Sequence, residues 1–148
     1  MKARREMIES YILSAQARTN KSFRLLLSIH MKEIVVVEDN DEIREVIGFI
    51  LTKDNYVLKL FENDTRFKRY IEENTPDIII MDVMLPDGNG IDVCRELKTN
   101  IATEHIPDIL MSANKVVKVT ETGATAFIGK PFNIIEFRKT VERYLLPN

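Results

Sequence analysis

The stretch Ile78-Ile79-Ile80-Met81-Asp82-Val83-Met84-Leu85-Pro86-Asp87-Gly88-Asn89-Gly90 decides the fold. Its unbroken apolar run reads as a strand buried on both faces rather than on one. The run ends on a carboxylate, Asp82, and the Pro-Asp-Gly-Asn-Gly segment behind it is a turn region. One acid is thereby carried to the carboxyl end of a sheet, the edge at which open parallel α/β sheets bind ligands.

Upstream, Ile34-Val35-Val36-Val37 is a β-branched run suited to a central parallel strand. It ends on Glu38-Asp39-Asn40-Asp41-Glu42, where Asn40 is a candidate N-cap and the acids after it favour a helix start. Ile43, Val46, Ile47, Ile50 and Leu51 follow the spacing of a helix packed on a sheet. Residues 56–61 predict a second strand, and Lys59 within it suggests an edge position. Phe67, Tyr70 and Ile71 mark a second helix, which stops near Asn74-Thr75-Pro76.

Downstream, Ile91, Cys94 and Leu97 define a third helix, and Pro107 precedes a fourth strand at 108–111. A short helix is expected over 113–121, a fifth strand over 126–128, and a closing helix on Ile134, Phe137, Val141 and Leu145. This alternation predicts an α/β fold, a doubly wound five-stranded parallel sheet with helices on both faces. Right-handed crossovers then restrict its topology.

The chain has 148 residues, 45% hydrophobic and 30% charged, which is one ordinary globular domain by length and composition. Its net charge of −2 is unevenly placed. Residues 1–30 hold six Lys/Arg against two Glu, and residues 31–148 hold 15 basic against 21 acidic, so the two parts carry +4 and −6. A part of charge −6 is a poor nucleic-acid binder, because phosphate neutralisation needs clustered cations. No apolar run is long enough to span a membrane, and no signal peptide is recognisable behind Lys2, Arg4 and Arg5, so a cytoplasmic protein without membrane insertion is expected. The single Cys94 rules out a disulfide framework and reads as a small core residue. Residues 1–31 read as an N-terminal extension, either a flexible tail or a short amphipathic helix with Met7, Ile8, Tyr11, Ile12 and Ala15 on one face. Met31 is an alternative start immediately before the first strand.

Several strand ends carry chemistry: Glu38 and Asp39 after the first, Asp82 on the third, Ser112 after the fourth, and Lys130 in Gly129-Lys130-Pro131-Phe132 after the fifth. Strand ends gather at one edge of a parallel sheet, so three carboxylates, a hydroxyl and an ammonium are expected to meet. Three acids this close repel, and a hard divalent cation would relieve them. Mg²⁺ takes oxygen ligands and bridges carboxylates to phosphoryl groups. Asp82 then reads as a nucleophile, Lys130 as a compact charge for a phosphoryl oxygen, and Ser112 as a hydrogen-bond donor to another.

These segments resemble one family, the receiver domain of two-component response regulators. The matching pieces are Val-Val-Val-Glu-Asp-Asn (35–40), Ile-Met-Asp-Val-Met-Leu-Pro-Asp-Gly-Asn-Gly (80–90), Met-Ser-Ala-Asn (111–114) and Gly-Lys-Pro-Phe (129–132). The resemblance covers roughly residues 32–146, and residues 32–148 are taken as the receiver domain. It implies a flavodoxin-like (βα)5 fold with strand order 2-1-3-4-5. It also implies Asp82 as phosphoacceptor, with Mg²⁺ on Asp39, Asp82 and the Met84 carbonyl, and Glu38 acting through a bound water. Lys130 would pair with the phosphoryl group, Ser112 would be the switch hydroxyl, Phe127 the rotating aromatic, and Lys130-Pro131 a candidate cis peptide.

The implied partners are a histidine kinase or a histidine phosphotransfer protein, and a downstream protein the sequence does not name. Such a protein catalyses only its own phosphorylation and dephosphorylation. Ser112 to Lys130 is 18 positions, a few fewer than the family usually has, which implies a short or irregular fourth helix and leaves dimerisation through that face open. No room for an output domain is expected after Asn148. Two rival readings are a Mg²⁺-dependent phosphohydrolase, which would call for a general acid where Met84 stands, and a phosphorylation-independent interaction module that keeps only the fold.

Overall fold

The computed structural model describes residues 2–16, 31–52, 56–114 and 119–146. The chain divides into two compact units, residues 1–31 and 32–148. The first contains helix α1 (Lys2–Gln16). Met7 and Tyr11 on it are exposed and Ile8 is half-buried, whereas the side chains of Ile12 and Ala15 lie outside the described residues.

The second unit runs β1 (Glu33–Val37), α2 (Asp41–Thr52), β2 (Val57–Phe61), α3 (Asp64–Ile71), β3 (Ile78–Asp82), a hairpin of β4 (Met84–Leu85) and β5 (Gly88–Asn89), and α4 (Gly90–Thr99). It continues with β6 (Asp108–Ser112), α5 (Val119–Thr122), β7 (Ala126–Gly129) and α6 (Ile134–Leu145). Five strands pair in parallel in the order β2-β1-β3-β6-β7, which is the expected 2-1-3-4-5 when the hairpin is set aside. Lys59 lies on the edge strand β2, its ammonium 5.9 Å from the Tyr70 ring centre.

The all-apolar strands supply two cores at once. Ile34, Val36, Ile78 and Ile80 point to one face, packed with Ile47 and Leu51 of α2 and Phe137 and Val141 of α6. Val35, Val37, Ile79 and Met81 point to the other, packed with Phe67 of α3 and Val93, Cys94 and Leu97 of α4. This is the period-two division of a strand between two helical layers. Asn40 caps α2 as expected, its side-chain oxygen accepting from the Ile43 N–H at 3.0 Å.

Two observations sharpen the sequence reading. The short helix expected over 113–121 is found over Val119–Thr122; Ala113 and Asn114 precede it outside any helix, and 115–118 lie outside the described residues. Gly123, with φ of 78°, takes the left-handed conformation that ends this helix after Thr122.

The amino ends of the strands are pinned by acids, Glu33 and Asp108 buried and Asp77 half-buried. Asp77 accepts from the Glu33 N–H at 2.8 Å and pairs with Lys32, while the Glu33 carboxylate accepts from the Tyr70 hydroxyl. Asp108 accepts from the Thr125 N–H and hydroxyl, from Lys98, and from the Cys94 thiol at 2.6 Å.

Burial, and then the Asp108 carboxylate, push the Cys94 thiol up from 9.0 to about 12. Native protein at pH 8 is expected to resist thiol labelling and to label fully in urea. The raised thiol keeps its proton in the fold while the unfolded chain loses it. The contribution of this group to stability is therefore constant below pH ~9 and falls as pH rises from ~9 toward ~12. Cys94→Ala should remove that component of the alkaline decline, measured as urea midpoints across pH.

Candidate functional site

The sheet brings its chemistry to one edge because β1, β3, β6 and β7 are parallel and in register there. Val37 pairs with Met81, Asp82 with Met111, and Ser112 with Gly129. Glu38 follows β1, Asp82 ends β3, Ser112 ends β6 and Lys130 follows β7.

The Lys130 ammonium sits between two acids, 2.5 Å from Glu38 Oε2 and 2.7 Å from Asp82 Oδ2. Glu38 is fully buried and Asp82 is 7% exposed, whereas Asp39 faces solvent. The other Glu38 oxygen accepts from the Asn40 N–H at 3.0 Å, and Asp82 Oδ1 accepts from the Met84 N–H at 3.3 Å. Burial pushes the Glu38 carboxyl up, partly offset by the Lys130 hydrogen bond. Burial alone would lower Lys130, but its bonds to Asp82 and Glu38 outweigh that and raise it. The ammonium therefore stays charged in a dry setting because two carboxylates face it.

Carboxylate oxygens of Glu38, Asp39 and Asp82 lie within 4.8 Å of one another. All three are hard oxygen donors, and a single ammonium balances only part of their charge, so the donor set fits a small divalent cation. The Lys130 N–H donates to the Ser112 carbonyl at 2.9 Å, joining the last two strands directly under the cluster. Ser112 is buried, and its hydroxyl oxygen accepts from the Asn114 N–H at 2.9 Å. Lys130-Pro131 is cis, as the resemblance implied. Met84 presents its side chain to solvent. Phe127 is half-buried, packed against the core that includes Phe67 of α3 and Val93, Cys94 and Leu97 of α4.

Two residues of this edge went unnoticed in the sequence. Arg44 on α2 reaches back so that its guanidinium donates to the carbonyls of Glu38, at 2.7 Å, and Asp39, at 3.3 Å, which holds the acidic turn. Its position one turn into the helix behind the acids was the available signal. Asp87, read only as a turn residue, accepts from the first N–H groups of α3. No local sequence signal points to that contact, because its partners lie 23 and 22 positions away.

Comparison with known proteins agrees with this geometry. The family model of the response regulator receiver domain matches residues 34–142. The chain is 34% identical over 116 residues to histidine kinase P4 of Formosa agariphila, covering 76% of this chain and 8% of that protein. It is 33% identical over 123 residues to the phosphate regulon transcriptional regulatory protein PhoB of Escherichia coli, covering 78% of this chain and 54% of that one. It thus spans about half of PhoB and a small part of the kinase. A solved structure, the receiver domain of the Pseudomonas aeruginosa sensor histidine kinase PA1611 with a magnesium ion in its active-site cleft, is 28% identical with a TM-score of 0.71. That similarity covers 78% of this chain and 98% of the solved domain. The chain belongs to the response regulator receiver domain family and has its flavodoxin-like fold. No helix among the described residues is long and apolar enough to cross a membrane.

The site also depends on one glycine. A Cβ on Gly90 would lie 2.3 Å from the Asp82 carbonyl oxygen, in backbone that cannot give way. Gly90→Ala is expected to destabilise the fold by about 3 kcal/mol, the upper end of the range typical of overpacking, and to lower the urea midpoint.

Proposed function

We propose that this chain is a phosphoacceptor whose Asp82 takes a phosphoryl group from the phosphohistidine of a histidine kinase or phosphotransfer protein, and that it signals by protein–protein contact. The observation that carries this reading is one ammonium and three carboxylates at the carboxyl edge of the sheet, two of them buried, of which Asp82 faces both Lys130 and the hairpin.

Asp39 and Asp82, with the Met84 carbonyl, are the proposed Mg²⁺ ligands, and Glu38 acts through a water. Bound there, Mg²⁺ supplies charge neutralisation for the carboxylates and for the incoming phosphoryl oxygens. An oxygen of Asp82 forms the new bond to phosphorus as the bond from phosphorus to the donor imidazole breaks. The electron pair of that bond stays on the imidazole nitrogen, and Asp82 becomes an acyl phosphate. Lys130 turns from Asp82 Oδ2 to a phosphoryl oxygen and holds the charge that builds there. Ser112, whose oxygen already accepts from Asn114, offers its hydroxyl proton to another phosphoryl oxygen. Phe127 is the proposed aromatic that responds to this change.

Incubation with acetyl phosphate and Mg²⁺ followed by intact mass measurement is expected to show one added phosphoryl group, absent without Mg²⁺ and absent in Asp82→Ala. Continuous turnover of the phosphodonor would indicate a phosphohydrolase instead. A complete lack of adduct would indicate a module that works without phosphorylation.

Met84 places an apolar, exposed side chain two residues past Asp82, where it cannot orient a hydrolytic water. The adduct should therefore be long-lived, and Met84→Glu or Met84→Asn should shorten its half-life severalfold, followed by mass spectrometry after removal of the phosphodonor.

A further inference from the structure

The hairpin behind Asp82 is tied down at three points. At its root the Gly90 N–H donates to the Val83 carbonyl at 2.8 Å. Beside the root, the Asn89 side chain caps α4 by accepting from the Ile91 N–H at 2.8 Å. At its tip, between β4 and β5, the Asp87 carboxylate reaches a different helix. Asp87 Oδ1 accepts from the Asp64 N–H at 2.8 Å, and Oδ2 accepts from the Thr65 N–H at 2.9 Å and the Thr65 hydroxyl at 2.5 Å.

A helix leaves its first N–H groups without partners inside the helix, and its amino end carries partial positive charge. In α3 the side chain of the local cap Asn63 takes the Arg66 N–H. Among the described residues, the two preceding donors are supplied with an acceptor by Asp87. Hydrogen bonds from Thr65 hold the Asp87 carboxyl below its usual range, so it is ionised in these contacts at neutral pH. Gly88 allows a close approach at the same place: a Cβ there would lie 3.0 Å from Asp64 Oδ2. Asp64 in turn pairs with Lys68, and Lys68 with Glu96 of α4. The tip is therefore fastened to α3, and α3 is fastened to the helix that leaves the hairpin.

We propose that Asp87 is a positioning residue for the cation site: by capping α3 it fixes the hairpin tip, and with it the backbone of Met84 beside Asp82. This rests on the reading of Asp82, Asp39 and Met84 as the Mg²⁺ site. Met84 pairs with Asn89 across the hairpin, so the same short ladder that carries the tip carries the Met84 peptide groups. Asp87 touches neither the phosphoacceptor nor the cation. Its effect is to reduce the number of conformations in which the Met84 carbonyl misses the cation.

The test compares wild type with Asp87→Ala, Asp87→Asn and Thr65→Val by titrating MgCl2 into unphosphorylated protein in a calorimeter. Adduct yield from acetyl phosphate is measured at limiting and at saturating Mg²⁺. Asp87→Ala is expected to weaken Mg²⁺ binding about tenfold, the size typical of losing a group that orients a metal ligand. Its adduct yield should recover at saturating Mg²⁺, and amide exchange should speed up at residues 64 and 65. Asp87→Asn, which keeps one acceptor oxygen, should fall between, and Thr65→Val should weaken binding less than Asp87→Ala. Mg²⁺ affinity within twofold of wild type in Asp87→Ala overturns the inference and leaves the phosphoacceptor reading intact. If wild type binds no Mg²⁺ and forms no adduct, both fall together. Should Asp87→Ala not fold, the ordering of wild type, Asp87→Asn and Thr65→Val decides the matter.

Discussion

The ammonium of Lys130 is the constraint on which the site depends. It arrives from the last strand of the sheet and meets acids from two strands at the centre, 92 and 48 positions earlier in the chain. Burying Glu38 and Asp82 together would be prohibitive without it, since each is withdrawn from water beside a like charge. Removing such a cation leaves the carboxylates uncompensated and costs far more than an exposed ion pair is worth. The same arrangement makes the site responsive. An ammonium shared between two anions can be drawn toward a third, and a buried pair that loses a partner must find another.

The fold was legible to the extent that it is written in uninterrupted apolar strands. Ile34 to Val37 and Ile78 to Met81 read as strands buried on both faces, and Lys59 on the second strand marked the edge. The cluster was legible because each of its members stands where a strand stops. Asp82, Ser112 and Lys130 declare themselves by position, and parallel strands put those positions at one end.

What the sequence withheld was pairing. Periodicity reports which face of an element is buried, not which polar groups meet. That Lys130 bridges Glu38 and Asp82 in the resting protein and that Asp87 caps a helix in another part of the chain are long-range facts with no local signature. Cys94 was rightly taken as a core residue, but its bond to a buried aspartate was not visible. The short helix before β7 was expected from the spacing of Ser112 and Lys130, yet its placement at Val119–Thr122 reflects the left-handed Gly123, which no count of positions specifies.

Strands that are apolar on both faces have a weakness. Sliding Ile78 to Met81 by one position past its neighbours would exchange the two faces without exposing any apolar group, so hydrophobic pattern alone barely selects the register. The acids at the strand ends supply the missing discrimination. Asp77 against Glu33 and Lys32 at one end, and Glu38 and Asp82 against Lys130 at the other, can be satisfied in a single alignment. Any slip would strand a buried charge. The carboxylates of the site are therefore also the rulers by which the sheet measures itself, and their retention is favoured by folding fidelity as well as by chemistry.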